Sequence, residues 1–277
     1  MIKREDLIHE HISGNKWRKL KGYIEKIQTG KHRGIITFGG AFSNHIHATA
    51  AAGRHFNIPT VGIIRGEYDD HNPTLRFAAN QGMDLRFVTR SAYREKQQHE
   101  DIQKIVGEHP DHLIVPEGGS GLLSLVGLQE LAQEIQSLPD PDIVTVAAGT
   151  GMTASGLVKY QDRLVTVISA LKSIHLKAEI EKVTSKSFDF CLDYHFGGYA
   201  KVTVELVQFI NEFRENTNIP LDPIYNGKAI YGVMNMVNKG LIKSGSTVLH
   251  IHTGGLQGIA AYNYMAMKQG KQLITKP

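Results

Sequence analysis

The chain of 277 residues has a single cysteine, Cys191, and a single tryptophan. A lone thiol closes no internal disulfide, and without a second cysteine there is no zinc pattern built on thiolates. Such low cysteine use fits a reducing compartment. The chain opens with no charged segment followed by an apolar stretch, and no apolar run is long enough to span a membrane. It is therefore expected to be soluble and cytoplasmic. Charge of one sign is also missing in bulk: the formal net charge is +4, with Lys and Arg scattered rather than blocked. No nucleic-acid surface is expected, although a weakly positive field suits an anionic small molecule. No repeat or low-complexity segment is present.

What is there is a foldable composition, 41% hydrophobic and 21% charged, long enough for one large α/β unit or two lobes. Apolar runs alternate with helical patterns, the signature of a parallel sheet. Gly34–Phe38, Thr60–Ile64 and Asp84–Val88 read as buried strands, with helices over His45–Phe56 and Thr74–Gln81 between them. A second series has strands at His112–Val115, Asp142–Ala147, Leu164–Leu171 and Thr247–Ile251, and a helix within Leu122–Leu138. The expected division is a small α/β lobe over residues 34–116, inserted into a larger lobe made of 1–33 and 117–277. A small-molecule site is expected in a cleft between such lobes.

Three turns follow strands and open helices. In Ala147-Ala148-Gly149-Thr150-Gly151-Met152-Thr153, the glycines let the backbone approach an anion, and the free N–H groups of the helix start point at it. The spacing G-x-G-x-x-G is absent, since Ala154 stands three beyond Gly151, and no Gly-Lys-Ser/Thr follows. The same turn without a ligand is a tight strand-to-helix connection. Gly39-Gly40-Ala41-Phe42-Ser43-Asn44-His45 is the second turn; Ser43 and Asn44 there are equally good helix caps. His252-Thr253-Gly254-Gly255 is the third. Turns at the C-terminal ends of parallel strands converge on one crevice.

Lys16 lies in Gly14-Asn15-Lys16-Trp17-Arg18-Lys19-Leu20, a loop turning into a helix. A lysine forms an imine with an aldehyde when its amine is neutral part of the time, and repulsion from Arg18 and Lys19 is expected to lower its pKa. Alone, it reads equally as a solvated surface lysine. The pairs His9/His11, His45/His47 and His250/His252 share a strand face at this spacing, but no carboxylate or thiol cluster accompanies them, and no metal site is expected.

Five segments carry a resemblance, in order along the chain: Lys3-Arg4-Glu5-Asp6, Gly14-Asn15-Lys16-Trp17-Arg18-Lys19-Leu20, Gly39-Gly40-Ala41-Phe42-Ser43-Asn44-His45, Asp222-Pro223-Ile224-Tyr225-Asn226-Gly227-Lys228 and His252-Thr253-Gly254-Gly255. Together they resemble the 1-aminocyclopropane-1-carboxylate (ACC) deaminase and D-cysteine desulfhydrase family. The resemblance implies a two-lobe α/β enzyme of fold type II, binding pyridoxal 5'-phosphate (PLP), acting on a small amino acid and forming a homodimer. It implies Lys16 as the Schiff-base lysine and proton shuttle. The stretch Ala148, Gly149, Thr150, Gly151, Met152, Thr153 would hold the phosphate. Asn44 would meet the ring hydroxyl, Ser43 the substrate, and Tyr225 the ring face. Tyr199 is a second candidate tyrosine, with core packing as the other reading, because Tyr194-His195-Phe196 is equally aromatic.

The departures bear on the substrate. ACC deaminases of this family carry Glu after the tyrosine and Leu in the last turn, where this chain has Asn226 and Thr253. Neutral Asn226 or Thr253 would hydrogen-bond the pyridine nitrogen without supplying charge. The resemblance then points to β-elimination from a D-cysteine-like substrate, giving pyruvate, ammonia and sulfide. ACC deamination, another small-amino-acid deaminase or racemase, and a non-catalytic PLP binder are the alternatives. The family also carries a strand before its first motif. This chain begins almost at that motif, so an edge of the larger lobe is expected to be missing or supplied by a partner. His47 stands where the family often has Arg.

Overall fold

The computed structural model describes residues 1–275. In chain order the elements are β1 (Ile2–Arg4), α1 (Asn15–Thr29), β2 (Gly34–Gly40), α2 (Asn44–Phe56), β3 (Thr60–Arg65), α3 (Pro73–Asn80), β4 (Asp84–Val88), α4 (Arg90–Glu95), α5 (Glu100–Gly107) and β5 (His112–Val115). They continue with α6 (Leu125–Gln136), β6 (Ile143–Ala148), α7 (Met152–Tyr160), β7 (Leu164–Ser169), α8 (His175–Glu181), β8 (Asp189–Cys191), α9 (Val204–Thr217), α10 (Asn226–Asn238), β9 (Val248–His252) and α11 (Gln257–Lys268). The chain forms two compact units, one of residues 1–8, 13–15 and 128–277, the other of 9–12 and 16–127.

The smaller unit holds a four-stranded parallel sheet in the order β4-β3-β2-β5. Its central strand β2 is buried almost throughout because side chains leave a strand alternately to either face and both faces are covered. Ile35 packs with Leu20, Tyr23, Ile24, Ala48, Ala52 and Val115. Its neighbour Ile36 packs on the other face with Val61, Ile63, Ala92 and Ile102. Ser43 begins α2, and its hydroxyl accepts the N–H groups of His45 and Ile46. The expected boundary at residue 34 thus differs from the observed one. Helix α1 belongs to the smaller unit from Lys16 onward, because Leu20, Tyr23 and Ile24 are part of that unit's core.

The larger unit holds a five-stranded parallel sheet in the order β1-β9-β6-β7-β8. Val144 and Val146 face Leu157, Val165, Val167, Leu249 and Ile251. Ala147 and Ile168 face Ala229, Val233 and Met236. The segment that carries the first motif forms the edge strand of this sheet, where Ile2, Lys3 and Arg4 pair with His250, Ile251 and His252. In parallel strands the C-terminal ends share one edge, so the turn after β6 and the turn after β9 emerge together. Among the described residues no helix is long and apolar enough to cross a membrane.

Leu157 is fully buried in the larger unit's core. Leu157→Ala should cost about 2–5 kcal/mol, the usual range for a core leucine, read as a lowered urea midpoint at unchanged slope.

Candidate active site

In the larger unit, β6 ends at Ala148, and Gly149-Thr150-Gly151 turns into α7. Gly151 stands at the helix start with φ 85, and no side chain caps it. The first N–H groups of a helix have no partner within it, so this start is a ready anion site. A Cβ on Gly149 would lie 2.6 Å from Cε1 of Tyr225, so the tyrosine ring rests directly on the loop.

The loop is tied to the start of the lysine segment by Asn15. Its side-chain amide donates to Thr153 Oγ1 at 2.9 Å, and its backbone N–H donates to the Thr253 carbonyl at 3.1 Å. Gly14 has φ +62, and a Cβ there would sit 2.0 Å from that same carbonyl. The Lys3–Asp6 segment supports the other side of the Thr253 turn. The Glu5 carbonyl accepts the Gly14 N–H, Arg4 forks onto Asp6, and Asp6 lies 3.4 Å from the ring of His252.

A buried network sits at the start of α10. Asp222 Oδ1 accepts the N–H groups of Ile224 and Tyr225, and Oδ2 accepts the backbone and side-chain N–H groups of Asn226. The Asn226 amide also donates to the Gly254 carbonyl. Its oxygen accepts from the backbone N–H and the hydroxyl of Thr253. Both amide hydrogens and both lone pairs of Asn226 are therefore spent inside the protein. Of the two residues expected to reach a pyridine nitrogen, only Thr253 keeps hydrogen-bonding capacity, in the lone pairs of its hydroxyl. Burial raises the Asp222 carboxyl above its ordinary range, and the Asn226 and Tyr225 N–H groups pull it back down.

Lys228, one helical turn on from Tyr225, was not singled out by sequence. It is fully buried and donates to the carbonyls of Ala170, His195 and Gly198. Burial lowers its pKa to about 8. These bonds pin the turn that carries Tyr199. Tyr199 is 52% exposed, which rules out core packing for it; Tyr194 fills that role instead, buried with its hydroxyl on Asn235.

In the smaller unit, Lys16 lies in the first turn of α1, and its amine reaches the Gly118 carbonyl at 3.4 Å. Burial lowers its pKa to about 8, opposed by a hydrogen bond with Lys19 and by the charge of Glu117. The expected cause, repulsion from Arg18 and Lys19, is thus replaced by desolvation, and the stronger shift falls on Lys19. Lys19 is buried and held well below the usual lysine range by desolvation and by Lys16. His45, also buried, meets the Thr37 hydroxyl through Nε2 at 2.8 Å. Ser43 and Asn44 stand at the end of the β2 turn, where Ser43 Oγ already accepts two backbone N–H groups and keeps its own hydrogen to donate.

A phosphate suits the uncapped α7 start beside Thr153, and an aldehyde suits an amine with a pKa near 8. The residues present therefore fit PLP. Among the described residues no three His, Cys, Asp or Glu side chains gather as a metal site. His9 meets His55 and His11 meets His47 edge-on, while His9 and His11 are tilted to each other.

The family model described as pyridoxal-phosphate-dependent enzyme matches residues 1–254. The chain is similar to the mitochondrial bifunctional D-cysteine desulfhydrase/1-aminocyclopropane-1-carboxylate deaminase of Arabidopsis thaliana, 30% identical over 295 residues that cover 93% of this chain and 72% of that one. It is also 30% identical over 285 residues to a Pyrococcus abyssi protein provisionally named 1-aminocyclopropane-1-carboxylate deaminase, covering 94% and 86%. The crystal structure of an ACC deaminase homologue superposes with a TM-score of 0.81 at 27% identity, covering 96% and 87%. The L-serine ammonia-lyase of Rhizomucor miehei shares the fold, with a TM-score of 0.68 at 14% identity over 96% and 92%.

Two outcomes follow. Lys228→Met leaves three carbonyls without their donor and should cost about 2–4 kcal/mol, with faster hydrogen exchange confined first to residues 195–200. His250 on β9 is buried and held neutral, its pKa lowered to about 3 by burial. It protonates on unfolding, so stability holds above the ordinary value of 6.5 and falls as pH drops toward 3. The loss between pH 7 and pH 5 should be about 2 kcal/mol, and His250→Asn should remove that part of the slope in urea titrations.

Proposed function

The chain belongs to the pyridoxal-phosphate-dependent enzyme family, and from that premise we propose that it is a lyase performing β-elimination on D-cysteine or a close analogue. What carries the choice of reaction is the Asp222–Asn226–Thr253 corner. Asn226 is saturated by its neighbours, and the capacity left belongs to a neutral hydroxyl. A hydroxyl does not hold a proton on a ring nitrogen as a carboxylate does. Elimination needs only a broken Cα–H bond and a leaving group already in place, which a weaker electron sink suffices to support. The Arabidopsis relative named for both activities supports the same reading.

When bound, PLP supplies an aldehyde that captures amines and a ring that accepts the electrons of a broken Cα–H bond. Lys16 would hold the aldehyde carbon covalently, and the uncapped start of α7 with Thr153 would hold the phosphate. Asn44 would hold the ring hydroxyl, and Tyr225 would limit the ring's motion from its place on Gly149. Lys16, once released, takes the α-proton; a pKa of about 8 leaves a useful fraction of the amine neutral near pH 7. Ser43 donates its hydroxyl hydrogen to the substrate carboxylate, because both acceptor sites of Oγ are engaged. Tyr199 faces solvent on its pinned turn and is assigned to closing over the substrate. As the Cα–H electrons form the Cα=Cβ bond, the Cβ–S bond breaks and sulfide leaves. The released enamine takes up water to give pyruvate and ammonia. The enzyme is assigned as a homodimer on the family resemblance, which light scattering tests.

Incubation with D-cysteine should release sulfide and pyruvate in equal amounts. Keto-acid release from ACC with none from D-cysteine would move the assignment to deamination, and a coloured protein inert to every D- and L-amino acid would make it a binder. Lys16→Ala should lose the borohydride-stable cofactor adduct and about a thousandfold or more in kcat.

A further inference from the structure

The larger unit holds a cavity of about 470 Å³ at the edge of its sheet where β6 and β7 begin. That volume suits a small molecule. The phosphate loop lies at the other edge, where β6 ends. Three stretches line the cavity: the end of α6, the connection into β6 and the connection from α7 into β7. Two glutamines staple the two helix ends together. Gln136 Nε2 donates to the Tyr160 carbonyl at 3.2 Å, and Gln161 Nε2 donates to the Ala132 carbonyl at 2.6 Å. The staple uses only amide hydrogens. Gln161 is 2% exposed, and its Oε1 has no hydrogen-bond partner among the described residues. Such an acceptor loses its hydration for nothing unless a donor reaches it.

The helices set the sign of the cavity. An α-helix carries roughly half a unit of negative charge at its C-terminal end, on carbonyls with no partner inside it. Helix α6 has no basic residue in its last turn. Helix α7 has Lys159 there, but that amine is spent on the Val183 carbonyl. The side-chain charges at the rim balance. Arg163 pairs with Asp140. Lys186 reaches Asp162 Oδ1 at 3.0 Å and the Gln161 carbonyl at 2.7 Å. Each carboxylate keeps one oxygen outside these bonds. With the ions balanced, the helix ends leave the cavity rich in acceptors and attractive to a cation.

Three observations narrow the cation. Ile135, Leu138 and Pro141 give the cavity an apolar wall, which suits a carbon chain. A bare metal ion would find no gathering of three His, Cys, Asp or Glu side chains among the described residues, and far more room than it fills. An anion would find one guanidinium in the lining, already held by Asp140.

We propose that this cavity binds a short aliphatic primary amine. Its ammonium group has three hydrogens to donate. One goes to Gln161 Oε1 and another to the free oxygen of a rim carboxylate, while the carbon chain lies along Ile135, Leu138 and Pro141. The site is separate from the one assigned to the cofactor. Helix α7 runs between them, with Gly151 before its first residue and Gln161 after its last. Binding here does not depend on the reaction proposed above.

The test is calorimetric titration of the full-length chain with 1,4-diaminobutane. Prior borohydride treatment ensures that no cofactor aldehyde is left to capture the amine. Saturable one-to-one binding is expected, with no binding of butyrate, which has a similar chain and the opposite charge. No saturation by the diamine, or equal binding of butyrate, would overturn the proposal. So would full displacement of the diamine by potassium chloride at the same concentration, which would make this a site for a bare ion. Leu138→Trp puts a large ring into the cavity from a position that is 37% exposed, where the fold tolerates it, and should abolish binding. Asp140→Asn and Asp162→Asn should each weaken binding about three- to fivefold. Gln161→Met keeps the length of the side chain, removes the acceptor and should weaken binding at least about tenfold. That variant also loses the bond to Ala132, and if it fails to fold, Leu138→Trp decides alone. Unchanged affinity in Leu138→Trp would place the amine elsewhere and sink the proposal.

Discussion

Asn15 gives its backbone N–H to the carbonyl of Thr253 and its side-chain amide to the hydroxyl of Thr153, and the next residue is Lys16. Two strands' ends, β6 and β9, are thereby tied to one residue, and adjacent Cα atoms stand about 3.8 Å apart. The backbone of the proposed cofactor lysine is thereby held one residue from those two bonds. Gly14 is required for the same reason, since the Thr253 carbonyl occupies the place of any side chain there. The Lys3–Asp6 segment then acts as a brace, with the Glu5 carbonyl on Gly14 and Asp6 against His252.

The polar interior of the larger unit is costly to bury and is stable only when complete. Asp222, Asn226 and Thr253 meet that condition within one turn of α10 and one strand end. The carboxylate is spent on backbone N–H groups, so the charge it carries stabilises the start of the helix. Lys228 does equivalent work further along, converting three irregular carbonyls into a rigid turn.

Much of the fold was legible because buried parallel strands are continuous apolar runs. Gly34–Phe38, Thr60–Ile64 and Asp84–Val88 coincide with β2, β3 and β4 to within two residues. Helices α4 and α5 were not foreseen because they are short and mostly polar on their exposed side, so periodicity had few apolar positions to act on; the longer α9 and α10 were not read from the sequence either. The unit boundary was missed for a different reason: α1 is amphipathic whichever core it joins, and only tertiary contact decides. At the site, the glycine turns and Lys16 stood out by residue type and spacing. The cause of the Lys16 shift did not, because desolvation is a property of the folded surroundings and sequence neighbours supplied only a plausible repulsion. Either Asn226 or Thr253 was expected to meet the cofactor; Asn226 bonds Asp222, Gly254 and Thr253, a saturation that no single-residue reading contains.

The pairing of β1 with β9 joins residues 2–4 to 250–252. Each such contact closes nearly the full length of the chain, and contacts of that separation form late. On the ribosome β1 waits for β9. Residues 16–127 are contiguous and can finish their own sheet while synthesis continues. The brace under Thr253, and with it the register of Asn15, is completed only once residues 250–253 have been made. The position of Asn15 is accordingly a late acquisition, settled by a strand made about 230 residues after it.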